Sequence, residues 1–332
     1  MEQKFYTASH KLDDIIKKSS SGGAFTAITD AWFKAYGECA VVYGCVMDEN
    51  LNAKHIRATD SKTRDKMRGS KYIESDIWGI NAQIEEDLKN GLYVVFSGTP
   101  CQISGLNTYL KNKNIEIKEN LLTVEVLCHG VAEEVFYKDY IEYLEKRNNS
   151  KAVQCNFRWK KPSGSIQNMQ ITFENGKKYT ASSTKYDWFY SAYLGNFVLK
   201  PVCYECKFAK PERYADITIG DNWSGYENRK KDESLIITNS ILGDEWINKA
   251  FCDMEFYVTE IDKIHSDFLH APPKRPQGYD EFWNIYEKSG YLSAQKFIGN
   301  NTAKGKIKCF LVFILDKLHL VRFAKKIKRI LK

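Results

Sequence analysis

Cys203-Tyr204-Glu205-Cys206 sets two thiols two residues apart, a spacing that lets both reach one metal ion or one cluster. One such pair supplies two ligands, so a four-coordinate site needs two more. Cys101 and Cys128 are the natural candidates, because Ser97-Gly98-Thr99-Pro100-Cys101-Gln102 and Cys128-His129-Gly130 each follow a short apolar strand. Ligands of open α/β sheets gather at the carboxyl ends of strands. A thiolate at a helix start is also favoured by the helix N-terminus. Cys101 could equally be a nucleophile, a redox thiol or a structural cysteine, and Cys128 a buried core thiol. Cys39, Cys45, Cys155, Cys252 and Cys309 stand singly in apolar or mixed runs and are expected in the core.

Three further segments could hold an anionic or heterocyclic ligand. Ser19-Ser20-Ser21-Gly22-Gly23 precedes a helical pattern that runs to about Tyr36. Free N–H groups and hydroxyls there would make a phosphate cradle, or an ordinary helix cap. Met67-Arg68-Gly69-Ser70-Lys71-Tyr72 offers two cations and a hydroxyl, or a solvated turn. Asp216 to Trp223 reads as a strand ending in a polar turn. Asp221 in that turn could meet a ribose, a ring nitrogen or a basic side chain, or simply terminate the strand.

These segments need a frame to bring them together. Ala40 to Met47, Ala53 to Ala58, Tyr93 to Phe96 and Thr123 to Leu127 read as strands, and Ile77 to Lys89 and Glu133 to about Lys146 as helices. Gln154 to Trp159, Asn168 to Phe173 and Lys177 to Ala181 look antiparallel, with Asn175-Gly176 as a hairpin turn. Asp216 to Gly220 and Leu235 to Thr238 are short strands, and beyond Asp262 the chain turns helical. The expectation is an α/β (mixed α+β) fold: a mixed sheet with flanking helices, inserted antiparallel strands and a C-terminal helical extension. The boundaries expected are residues 1–262 for the body and 263–332 for the extension.

The net charge of +7 does not describe the body. Between Lys306 and Lys332 nine Lys or Arg stand against one Asp, which leaves the rest near neutral. A phosphate-tracking surface needs a basic body, so nucleic acid is not an expected partner. The basic segment mixes Lys and Arg with Leu, Ile, Val and Phe at helix-like spacing. It suits a peripheral membrane surface, or docking on the body or a partner. Its longest apolar run, Cys309 to Leu315, is far short of the roughly 20 residues that span a bilayer. No secretory signal is visible at the start, so a cytoplasmic chain with reduced thiols is expected.

The order of these segments is more specific than any one of them. SSSGGAF, RGSKY, FSGTPCQISGL, LCHG, NFRWK, CYECKFA and DITIGDNW, from about Ser19 to Trp223, resemble the coenzyme F-420 hydrogenase/dehydrogenase beta-subunit family. The resemblance implies an oxidoreductase with FAD and a 4Fe-4S cluster. It implies FAD contacts from Ser20, Ser21, Gly22, Gly23, Ser70, Lys71 and Tyr72, with Thr99, Pro100 and Gln102 near the flavin. Asp221 joins this cofactor set. The cluster ligands implied are Cys101, Cys128, Cys203 and Cys206, the same four reached from position and spacing. His129 and Lys71 are the candidate catalytic groups, and His129 could tune the cluster or relay a proton. Relatives work with deazaflavin, formate-linked or ferredoxin-linked partners. The electron donor or acceptor expected here is a ferredoxin, a deazaflavin or a nicotinamide, and the substrate a small molecule or a glycan. Two departures matter. No cysteine precedes Cys39, so the repeated-cysteine ferredoxin segment of many relatives is missing, and the family's Pro-Ser after CHG is Ala132-Glu133 here. Short members of this kind are associated with cell-surface polysaccharide synthesis. A zinc-stabilised or cofactor-poor member serving as a transferase or scaffold is the alternative.

Overall fold

Strands apolar on both faces belong in the middle of a sheet covered on both sides. Ala40–Met47 (β2), Tyr93–Gly98 (β4) and Leu121–Val126 (β5) are such strands, and in the computed structural model they lie parallel and adjacent. The structure describes residues 2–115, 119–160, 168–181, 187–223, 232–264 and 266–298, with Ile307, Leu311 and Ile314 beyond. The remaining strands are Lys4–His10 (β1), Ala53–Ala58 (β3), Ala152–Trp159 (β6), Asn168–Phe173 (β7), Lys178–Ala181 (β8), Ile217–Asp221 (β9), Ser234–Thr238 (β10) and Met254–Thr259 (β11).

Eight strands form one mixed sheet in the order β11-β1-β10-β9-β5-β4-β2-β3. The run β2, β4, β5, β9 is parallel, and the pairs at either end are antiparallel. The N-terminal strand β1 therefore lies between β10 and β11, both from the last third of the chain. Helices Ala24–Tyr36 and Ile241–Ala250 cover one face. Trp32 and Trp246 meet there with centroids 4.3 Å apart, in a core shared with Val42, Val95, Leu122, Val124 and Ile217. Helices Ile80–Lys89 and Pro100–Asn112 cover the other with Ile84, Leu88, Ile103, Leu106 and Leu110. Each fully buried aliphatic side chain of this kind stabilises the fold by about 1.5–3 kcal/mol.

The inserted strands form their own antiparallel sheet, β6-β7-β8. The hairpin turn at Asn175-Gly176 is present, and of the pair Gly176 carries the left-handed backbone (φ 78°). Helices Glu134–Asn148, Trp188–Leu194, Tyr279–Ser289 and Tyr291–Phe297 pack on this sheet around Phe136, Phe157, Phe189 and Phe282. The mixed α/β fold expected from sequence is the one observed, with helices at the C-terminal side. Most of the basic segment from Lys306 to Lys332 lies outside the described residues.

Candidate functional site

Thr99 stands between β4 and helix Pro100–Asn112, with its N–H donating to Gln102 Oε1 at 2.9 Å as half of a capping box. The Gln102 amide then donates to Ser75 Oγ at 2.9 Å. Gln102 is thus committed to shaping the turn that presents Cys101. Cys101 itself is exposed, with its Sγ 3.1 Å from Thr99 Oγ1.

The chain leaving β5 carries Cys128, His129 and Gly130. Gly130 has φ 132°, and a Cβ there would lie 3.2 Å from Cys203 Cβ, so only glycine lets this loop rest on the Cys203–Cys206 turn. Backbone bonds stitch the same loop on both sides. Ala132 N–H donates to the Tyr72 carbonyl at 2.9 Å, Glu133 N–H to that of Val198 at 2.7 Å, and Lys200 N–H to that of Val131 at 2.9 Å. Three motifs far apart in sequence, RGSKY, CHG and CYEC, are joined there. After Cys206 the chain is anchored by Arg213, which donates to the carbonyls of Phe208 and Lys210 and pairs with Glu125, buried at the end of β5.

The four motif thiols share one neighbourhood. Burial pushes the Cys128 thiol up to about 12, and Cys101, Cys203 and Cys206 are near enough to add to that shift. Burial also raises Cys203, to which Cys206 and Cys101 contribute. The backbone N–H groups of Gly130 and Val131 work the other way, favouring the Cys128 and Cys203 thiolates. Among the described residues no group of three or more His, Cys, Asp or Glu is placed to hold a single metal ion. Of the cysteines expected in the core, Cys155 is buried and Cys45 half-buried. Cys39 and Cys252 are exposed, each in a short 3-10 turn outside the sheet. Cys309 lies outside the described residues.

A small cleft is lined by Ser20, Ser21, Arg158, Asp221, Asn222 and Trp223 among others. Ser20 Oγ accepts from the Ser70 N–H at 2.7 Å and contacts its hydroxyl at 2.9 Å, so the serine-glycine and RGSKY segments meet. Asp221 binds both the Ser21 hydroxyl and the Arg158 guanidinium, and that guanidinium lies 5.6 Å over the Trp223 ring. Gly22 and Gly23 serve the backbone. A Cβ on Gly22 would stand 2.3 Å from the Ala8 carbonyl oxygen and 2.6 Å from Ser234 N, and Gly23 has φ 91°. Ser234 Oγ accepts from the Gly22 N–H at 3.0 Å and the Ala24 N–H at 3.4 Å, so two amides at this helix start are already engaged.

Lys71 donates to three carbonyls, those of Cys45 and Met67 at 2.8 Å and Arg68 at 3.1 Å. Burial pulls its amine down to about 8, and the nearby Cys45 thiol works against that pull. Tyr72 stacks on Tyr193 at 4.6 Å, and Tyr193 also neighbours Cys128, Cys203 and Arg158, bridging cleft and thiols. His129 donates from Nε2 to Asn196 Oδ1 at 2.7 Å and stacks on Phe268 at 4.2 Å, and burial lowers its pKa. The sequence marks neither Asn196 nor His55, and it gives Arg158 only within the NFRWK segment, without a role. An arginine set between two aromatics, Phe157-Arg158-Trp159, is the signal that could have singled it out. His55, whose Nε2 donates to the Ser97 carbonyl at 2.9 Å, sent none.

Cys101 and Cys128 each follow a parallel strand of the α/β scaffold and the Cys203–Cys206 turn rests beside them, and comparison names the class. Residues 92–264 match the family model for the C terminus of the coenzyme F420 hydrogenase/dehydrogenase beta subunit. The chain belongs to that family of hydrogenase and dehydrogenase subunits. The match takes in all four motif cysteines, Arg158 and Asp221, and begins after Ser20–Gly23 and Ser70–Tyr72. A chain from the F420-reducing [NiFe] hydrogenase complex of Methanosarcina barkeri, in a xenon-derivatised structure, is similar in fold. Its TM-score is 0.53 at 18% identity, over 91% of this chain and 93% of that one. No curated protein sequence matches.

Proposed function

We propose that the protein is an oxidoreductase subunit that passes electrons between a 4Fe-4S cluster and FAD, to or from a small-molecule or glycan-linked substrate. The cluster ligands are Cys101, Cys128, Cys203 and Cys206. The observation that carries this reading is the common neighbourhood of these thiols, drawn from three distant segments, with backbone N–H groups aimed at two of them. That donor set fits an iron–sulfur core. The cleft's chemistry fits a flavin nucleotide. Ser20, Ser21, Ser70 and Arg158 suit phosphate oxygens, and Asp221 and Trp223 suit polar and flat groups.

FAD bound there supplies hydride and single-electron exchange in one group. The chain's own residues do the rest. Gly22 and Gly23 let the backbone pass close to β1 and β10. Thr99, Pro100 and Gln102 hold the turn that presents Cys101. Tyr72 and Tyr193 fill the space between cleft and thiols, excluding water. Lys71 contributes a fixed positive charge, since its N–H groups are committed to carbonyls. His129 donates a hydrogen bond from its Nε2–H to Asn196 Oδ1, which orients the ring beside Cys128.

The electron partner in this reading is a separate ferredoxin, deazaflavin or nicotinamide, and cell-surface polysaccharide assembly is a fitting setting. Anaerobic purification with iron, labile sulfide and flavin analysis is the test. The expected result is a coloured protein, bleached by dithionite, that loses its iron when Cys128 or Cys203 is changed to Ser. A folded, active and colourless protein overturns the reading, and zinc in place of iron supports the structural alternative.

The location in this reading is the cytoplasm, with the basic segment available to attach the chain to the inner face of a membrane. No described helix is long and apolar enough to cross a bilayer. Ile307, Leu311 and Ile314, within the basic segment, leave 63%, 55% and 37% of their surface exposed and stand at helical spacing in the sequence. Removing residues 306–332 is expected to abolish sedimentation with anionic vesicles, and unchanged sedimentation removes the idea.

A further inference from the structure

Helix Trp188–Leu194 ends at Gly195, and the next residue, Asn196, takes the left-handed conformation at φ 60°. Glycine is the usual choice just past a helix end, because it has no Cβ to strain. The asparagine at this point uses both ends of its side chain. Its Oδ1 accepts from His129 Nε2–H at 2.7 Å, and its Nδ2 donates to the Lys274 carbonyl at 3.3 Å. Its backbone carbonyl accepts from the Tyr204 hydroxyl at 2.5 Å.

Each of these partners belongs to a different segment of the thiol site. His129 directly follows Cys128, and Tyr204 directly follows Cys203. Lys274 lies in a covering segment whose Phe268 stacks on His129 and whose Arg275 lies 5.4 Å over the Tyr204 ring. A glycine would satisfy the backbone and make neither side-chain bond. The choice of asparagine is therefore explained by what it ties together.

We propose that Asn196 is a positioning residue for the thiol site, setting Cys128 against Cys203 through His129, Tyr204 and the covering segment. The proposal rests on the cluster reading above. Outer-shell partners of metal ligands are worth about 10–100-fold in metal retention. The effect is bounded on that scale because the backbone bonds of Ala132, Glu133 and Lys200 also hold these loops.

The test uses the full chain, reconstituted anaerobically with ferrous iron and sulfide. Asn196→Gly keeps the left-handed backbone and removes both side-chain bonds, whereas Asn196→Asp keeps the acceptor for His129. Iron release to a ferrous chelator, thermal unfolding and the electron paramagnetic resonance of the dithionite-reduced protein are measured together. Asn196→Gly is expected to release iron about 10–100-fold faster, with an altered resonance and a melting temperature near wild type. Asn196→Asp is expected to lie closer to wild type. A glycine variant with wild-type release and resonance overturns the assignment, as does faster release that only follows lost thermal stability. A wild-type chain that takes up no iron sinks the cluster reading and this inference with it.

Discussion

At the scale of single residues, His55 shows how burial becomes pH dependence. Its imidazole is almost fully buried, and burial lowers its pKa to about 4. In the unfolded chain an imidazole titrates near 6.5. As pH falls from about 6.5 toward 4, the unfolded chain gains a proton that the native ring refuses, so stability is lost across that window. At pH 5 the loss is about 2 kcal/mol. His55→Gln should remove that share of the acid limb, seen by comparing urea unfolding of both proteins at pH 7 and pH 5. Gly22→Ala should lose on the order of 1–3 kcal/mol in the same assay, because its Cβ would press on two backbone atoms of β1 and β10. The four motif cysteines were legible from sequence because spacing and strand ends mark them. His55, Ser234 and Asn196 were not, since each gains its role from partners far along the chain.

Among the elements, the anchoring of the segment after Cys206 makes a sharper case. Glu125 and Arg213 are both buried and paired, with Thr218 Oγ1 donating to the same carboxylate at 2.8 Å. Removing one partner of such a pair strands a buried charge at a cost of about 3–5 kcal/mol. Arg213→Met should destabilise the chain by that amount and free the carbonyls of Phe208 and Lys210, loosening the turn behind Cys206. Adding Glu125→Gln should recover much of the loss, as read by denaturant unfolding of the single and double variants. The apolar strands β2, β4 and β5 could be read directly, as could the hairpin of β7 and β8. Strand β1 could not, because Ser9 and His10 are buried polar residues that blur its alternation. Strand β11 hid for the opposite reason, with Tyr257 and Val258 exposed at the sheet's edge.

For the molecule as a whole, the mixed sheet and its inserted antiparallel unit were foreseeable from the order of strand-like and helix-like stretches. The sheet order was not, because nothing local in Lys4–His10 announces neighbours from Ser234–Thr238 and Met254–Thr259. That placement has a consequence for how the protein is made. Strand β1 leaves the ribosome well before its partners, which are encoded more than two hundred residues later. At roughly 5–20 residues per second, the wait is on the order of ten to fifty seconds. Nascent chains arrested before Met254 should therefore stay open to protease around Lys4–His10, while chains arrested well past Thr259 become resistant there. In a cell, that interval is when Phe5 and Tyr6 would be available to chaperones, so synthesis of Met254–Thr259, rather than of Lys4–His10, would time the closing of the sheet.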